Sequence, residues 1–168
     1  VISAPLDLGI CAKEIGKGFA SVYQKYLVDK LRNKTKLKLS LMQDRFPIDI
    51  TEKGLDEITV LTDFDEAITA PINGFASAEE YYQTCSANRF LKNVKTPTLI
   101  IHAKDDPFMS PDVIPSADML SPNVVLELSE SGGHVGFIAG KNPFKPIFWT
   151  EYRSIEYIRE LQSQRGEL

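Results

Sequence analysis

The sequence predicts an α/β fold: parallel sheet strands joined by crossover helices, preceded by a mainly helical region. Two observations support the sheet. Leu99 to Ile101 form a short apolar run rich in β-formers, bounded by Pro97 and a polar turn, as in a strand buried on both faces. A second run, Val124, Val125, Leu126 and Leu128, follows a helix-sized segment, and strand, crossover, strand at this spacing is a βαβ unit. The helical region rests on apolar residues at steps of three and four from Asp7 to about Leu31.

The 168 residues match one domain, and 43% hydrophobic with 25% charged residues is an ordinary soluble composition. A net charge of −4 argues against nucleic acid as a partner. No apolar run is long enough to span a bilayer. Cys11 and Cys85 form no C-x-x-C and are expected as buried thiols, which points to a reducing compartment and a cytoplasmic location. Asn33-Lys34-Thr35 fits a glycosylation sequon, a triplet common by chance.

Val1 and Ile2 read as the tail of a buried strand, and Pro5 leads to a helix with Asp7 as N-cap. No initiator methionine or signal peptide precedes them, so the chain is expected to be a fragment. The first stripe comprises Leu8, Cys11, Ala12, Ile15, Phe19, Val22, Tyr23, Tyr26, Leu27 and Leu31, with a kink expected near Gly16 and Gly18. The basic stretch "KLRNKTKLKLS" is expected as a solvated helix end that could also touch an anionic membrane surface. Residues 44 to 76 mix short helical pieces with Pro and Gly breaks, the texture of a cap or lid. Ser77 and Glu80 form a capping box for the next helix. Tyr152, Ile155, Ile158 and Leu161 share one face of a final helix.

In open α/β sheets functional groups gather beyond the carboxyl ends of the strands. Asp105 and Asp106 follow the first strand, and His134 follows the second within "ESGGHVGF". A carboxylate holding an imidazole in one tautomer, and an imidazole accepting a nucleophile's proton, are the supporting members of a nucleophilic triad. Gly132, Gly133 and Gly136 let the backbone turn sharply and leave the ring accessible. His102, at the strand end, is expected to pack or bond locally. No His, Cys and carboxylate cluster has metal-ligand spacing, so neither a metal nor another cofactor is expected. The nucleophile itself is missing, because no G-x-S-x-G occurs in the sequence. It is expected upstream of Val1, together with the oxyanion donors.

The run Asp65, Gly74-Phe75, Glu80-Tyr81-Tyr82, Ser86, Val94, Pro97, Leu99, Ile101 and Asp105-Asp106 resembles the YheT-like branch of the α/β-hydrolase superfamily. That branch includes bacterial esterases and eukaryotic abhydrolase-domain lipases and phospholipases. "SPNVVLELSESGGHVGF" is similar to its histidine segment and "SAPLDL" to the segment after its mid-sheet strand. The resemblance implies that residues 1–168 are the C-terminal portion of one α/β-hydrolase domain, with about 7–76 as cap helices and about 94–168 bearing the acid and histidine. It places the catalytic acid on Asp106, which heads the "DPFM" turn, and the catalytic histidine on His134. Asp105 would then point elsewhere or cap the turn. The implied reaction is serine-type hydrolysis of short- or medium-chain carboxylic esters, acylglycerols or phospholipids. Peripheral membrane contact is compatible with such substrates. Phe19, Tyr23, Phe64 and Phe75 are expected in the core, with a place lining the acyl pocket as the alternative. Two other readings stand beside this one: a non-catalytic binding or interaction protein on the same fold, and a natural half that pairs with a separate chain.

Overall fold

Asp7 does cap the first helix. Its carboxylate accepts the Ile10 amide at 2.9 Å and satisfies one of the orphan donors of α1 (Leu8–Glu14). The computed structural model describes residues 1–142 and 144–166 and divides into two units, residues 7–86 and residues 1–6 with 87–168.

The first unit is helical. After α1, Gly18 at φ +50° interrupts the chain, and α2 (Ala20–Met42) starts afresh, so the expected kink is a complete break. The basic stretch is not a helix end in the narrow sense, since α2 continues through it to Met42. Then come α3 (Glu52–Glu57), α4 (Leu61–Phe64), a π turn (Asp65–Thr69), α5 (Ala70–Ile72) and α6 (Ala78–Cys85). The core joins Val28 of α2 to Leu55, Ile58, Phe64 and Ile68, with Leu31 and Leu39 packed against it. Phe64 is therefore core, and Phe75 is half-buried with its ring 5.6 Å from that of Tyr81.

The predicted stripe fails from Phe19 to Tyr26, while Leu27 is half-buried and Leu31 packs against the core. The buried residues of α2 are Ala20, Gln24, Val28 and Thr35, whereas Phe19, Val22, Tyr23 and Tyr26 are exposed, Phe19 by 85%. Polar residues can face inward here because their bonds are made. Gln24 Oε1 accepts the Leu61 amide at 3.2 Å, and the Thr35 hydroxyl donates to the Leu31 carbonyl at 2.9 Å. The cysteines depart from expectation in their exposure, since Cys11 is half-buried and Cys85 is exposed.

Residues of the run that carries the resemblance do architectural work in this unit. Asp65 accepts the Tyr82 hydroxyl at 2.7 Å and the Thr69 hydroxyl at 2.6 Å. Burial, followed by that carboxylate, pushes the Tyr82 hydroxyl well above its ordinary pKa. Ser77 Oγ accepts the Glu80 amide, and Glu80 reaches back to the Ala76 amide, a variant of the capping box. Ser86 Oγ donates to the Tyr82 carbonyl and accepts the Leu8 amide at 2.9 Å, tying the two ends of the unit.

The second unit carries the parallel pair that the sequence predicts. After a 3-10 segment (Ala87–Asn93) come β1 (Thr98–Ala103) and β2 (Val124–Ser129), in register from Thr98 with Val124 to Ala103 with Ser129. On its other edge β1 meets Ile2, which bridges to Ile101 in parallel, as the strand tail predicts. Between β1 and β2 the crossover is helical only in two 3-10 turns (Pro111–Val113 and Ala117–Met119), not one α-helix. Proline explains this: Pro115 pushes Ile114 out of the α region to ψ 119°. A short antiparallel ladder joins β3 (Ile138–Ala139) to β4 (Ile147–Phe148), and α7 (Trp149–Gln164) follows. The core here is Leu99, Ile101, Ala103 and Phe137, with Ile2 and Tyr157 against it. The expected apolar stripe of α7 does not pack inward, because Tyr152, Ile155 and Ile158 are exposed. The inward face instead presents Arg153, which holds Glu127 of β2 through Nη2 at 2.7 Å. Where the helical unit leaves and rejoins this one, the Asn88 amide donates to the Leu6 carbonyl at 2.9 Å. Among the described residues no helix is long and apolar enough to cross a membrane.

Candidate functional site at the strand ends

Because β1 and β2 are parallel and in register, their carboxyl ends deliver two turns side by side, 104–109 after Ala103 and 130–137 after Ser129. Lys104 N–H donates to the Ser129 carbonyl at 2.9 Å and extends the ladder into the first turn. The sequence places an acid on one turn and an imidazole on the other. The structure brings them together: His134 Nδ1 lies 2.9 Å from Asp106 Oδ2.

The surroundings of the two groups differ. The Asp106 side chain is fully buried, while that of His134 is 30% exposed. Asp106 Oδ1 is occupied by the Phe108 amide at 2.9 Å, so each carboxylate oxygen has a partner. A carboxylate in the ionised form only accepts hydrogen bonds, so opposite it a neutral ring would donate from Nδ1 and keep its lone pair on Nε2. The Phe108 ring stands edge-on to the imidazole, 4.7 Å between centroids, and restricts its rotation. Chemically this is a proton acceptor of fixed tautomer, backed by a buried negative charge.

Asp105 points away from the imidazole. Its Oδ1 accepts the Gly132 and Gly133 amides at 2.8 and 2.9 Å, bracing the histidine turn from the neighbouring strand end. Gly132 is required for close approach, because a Cβ there would meet the Phe137 ring at 2.5 Å. Beyond His134 the backbone is strained, with Val135 at φ 65° and Phe137 at φ 40°. The Val135 amide is held by Ser3 Oγ at 3.1 Å. Ser3 is itself buried at φ 45° just past the Ile2 bridge. Sequence reasoning missed Ser3 and Phe108. Phe108 carries a usable signal, two residues past the acid in the same turn, but a serine after a strand carries none.

His102 bonds locally as expected: it is buried, and Nδ1 accepts the Ala103 amide at 2.9 Å. Among the described residues no group of three or more His, Cys, Asp or Glu side chains could hold a metal ion.

Comparison with known proteins agrees with the fold. The family model described as "alpha/beta hydrolase fold" matches residues 1–141. YheT of Escherichia coli (strain K12), a candidate esterase by name, is 42% identical over 158 residues, covering 94% of this chain and 46% of YheT. The monoacylglycerol lipase of Saccharomyces cerevisiae is 33% identical over 94 residues, 56% of this chain and 21% of the lipase. Phospholipase ABHD3 of Mus musculus is 32% identical over 120 residues, 71% of this chain and 28% of the phospholipase. No solved structure gives a significant match. The chain belongs to the α/β-hydrolase fold family and is YheT-like within it. It spans less than half the length of each of these relatives.

Proposed function

We propose that these residues supply the acid and the base of a serine-type carboxylic ester hydrolase, with Asp106 as the acid and His134 as the base. The observation that carries this reading is the 2.9 Å pairing of a half-exposed imidazole with a fully buried carboxylate at adjacent strand ends. The nucleophile is a serine hydroxyl outside residues 1–168. Nε2 of His134 accepts its proton as it attacks the acyl carbonyl, and the imidazolium that forms is stabilised by Asp106. The same proton then passes to the leaving alcohol. Water then attacks the acyl-serine carbonyl as Nε2 takes one of its protons, and Nε2 returns that proton to the serine oxygen as the carboxylic acid leaves.

The names of the relatives, which include an esterase, a monoacylglycerol lipase and a phospholipase, support esters, acylglycerols or phospholipids as the substrate class, with short- or medium-chain esters as the simplest members. The helical residues from about 7 to 76 fit a cap role on this reading. The basic face of α2 suits peripheral contact with an anionic membrane that holds such substrates. Two cysteines with no C-x-x-C spacing fit a reducing compartment such as the cytoplasm.

The test uses full-length protein. A serine-reactive fluorophosphonate should label it, and p-nitrophenyl esters of graded chain length should be turned over. His134→Ala should abolish turnover with the fold intact. A folded His134→Ala variant that still hydrolyses the esters at the wild-type rate would overturn the reading.

A further inference from the structure

The turn that carries His134 does not hold its shape by its own preferences. Val135 is β-branched and sits at φ 65°, and Phe137 sits at φ 40°, both in the left-handed region that side chains disfavour. Such conformations cost about 1–3 kcal/mol each and persist only where their surroundings over-determine them. Within the turn there is little help: Gly136 N–H donates to the His134 carbonyl at 2.7 Å and Phe137 N–H to the Gly132 carbonyl at 2.9 Å. Other chain segments add restraints: Trp149 N–H donates to the Phe137 carbonyl at 3.1 Å, the Phe137 ring is buried in the core, and two side chains bracket His134. Before His134, Asp105 Oδ1 takes both the Gly132 and Gly133 amides. After it, Ser3 Oγ takes the Val135 amide.

We propose that Asp105 and Ser3 are positioning residues that clamp the His134 turn from both sides and so keep its imidazole against Asp106. This deepens the proposed hydrolase reading and rests on it. The carboxylate of Asp105 touches neither the imidazole nor Asp106. It acts through backbone, as one acceptor oxygen bridging two adjacent amides. Ser3 acts through the amide one residue beyond the base, from a strand end on the far edge of β1. With either anchor gone, Val135 relaxes toward negative φ and swings the imidazole away from Asp106.

The experiment compares Asp105→Ala, Asp105→Asn and Ser3→Ala with His134→Ala in the full-length protein. Asp105→Ala and Ser3→Ala should lower kcat by about tenfold to a hundredfold, the scale of an ångström-sized misplacement, with KM little changed. Asp105→Asn should restore most of kcat, because its amide oxygen can accept the same two N–H groups. The low-field proton resonance of the His134–Asp106 pair reports the alignment whether or not an ester is turned over. It should weaken in both alanine variants and persist in Asp105→Asn. Wild-type kcat and an undiminished resonance in either alanine variant would overturn the clamp. So would an Asn variant as damaged as the alanine one, since charge would then matter and not the acceptor. If His134→Ala alone is inactive, only the clamp has failed. If His134→Ala retains turnover, the hydrolase reading fails and the clamp's catalytic role with it.

Discussion

The two strand-end turns and the helical unit are stabilised by different means. Residues 7–86 cohere through apolar burial: Leu55 is fully buried, Val28 nearly so, and Phe64 and Ile68 complete the cluster. The turns at 104–109 and 130–137 bury little beyond Phe137 and Met109, and instead fix backbone with polar acceptors. Burial is non-directional and fixes that an element folds. Hydrogen bonds are directional and fix where a side chain points. Changes in the turns should therefore alter turnover more than stability, and changes in the helical core should do the reverse.

The sharpest test of that contrast is His134→Ala. It should reduce kcat on p-nitrophenyl esters by about four orders of magnitude or more while thermal unfolding stays put. Asp106→Asn comes next, at about 10³- to 10⁴-fold, because the amide lets the ring take the wrong tautomer. The loss should far exceed that of Asp105→Asn in the same assay, and equal losses would remove the distinction between the two carboxylates. On the helical side, Leu55→Ala should destabilise by about 2–5 kcal/mol in denaturant unfolding, with the turnover of the folded protein nearly unchanged. A large kcat effect there would break the contrast. The smallest effect is expected at Tyr82→Phe, about 1 kcal/mol for the hydrogen bond to Asp65.

Tyr82 also sets a pH dependence. Its hydroxyl ionises well above the usual 10.0 in the folded protein because of burial and Asp65. Below the unfolded value its contribution is complete. As pH rises past about 10 the unfolded chain loses the proton first, and stability falls. Unfolding midpoints between pH 9 and 11 should thus decline in the wild type and decline less in Tyr82→Phe, a comparison that isolates this one group.

The site was more legible in the sequence than the helical surface was. The Asp105–Asp106 pair and His134 can be placed because parallel strands deliver their following turns to one edge, and the apolar runs at Leu99 and Val124 mark those strands; the choice of Asp106 over Asp105 comes from the resemblance to the YheT-like branch. The other function of Asp105 was only half visible: that it leaves the imidazole to Asp106 could be anticipated, but its grip on two glycine amides depends on a turn shape no spacing rule encodes. Ser3 was invisible because its partner is 132 positions away. The inward face of α2 was misread because periodicity counts side-chain polarity, while Gln24 and Thr35 bury polar atoms whose bonds are satisfied. The crossover differs for another reason: Pro115 forbids a continuous helix through Ile114, a veto that a segment of helical length does not reveal.

The Leu6–Asn88 bond bears on how this scaffold tolerates redesign. The chain departs and comes back at points one hydrogen bond apart, so the α/β portion perceives the intervening eighty residues as a loop already closed. Closure entropy rises only slowly with loop length, about 0.6 kcal/mol per doubling. Grafting a longer, shorter or foreign insert at that junction should consequently leave the acid–imidazole pair undisturbed, making residues 7–86 an interchangeable cassette.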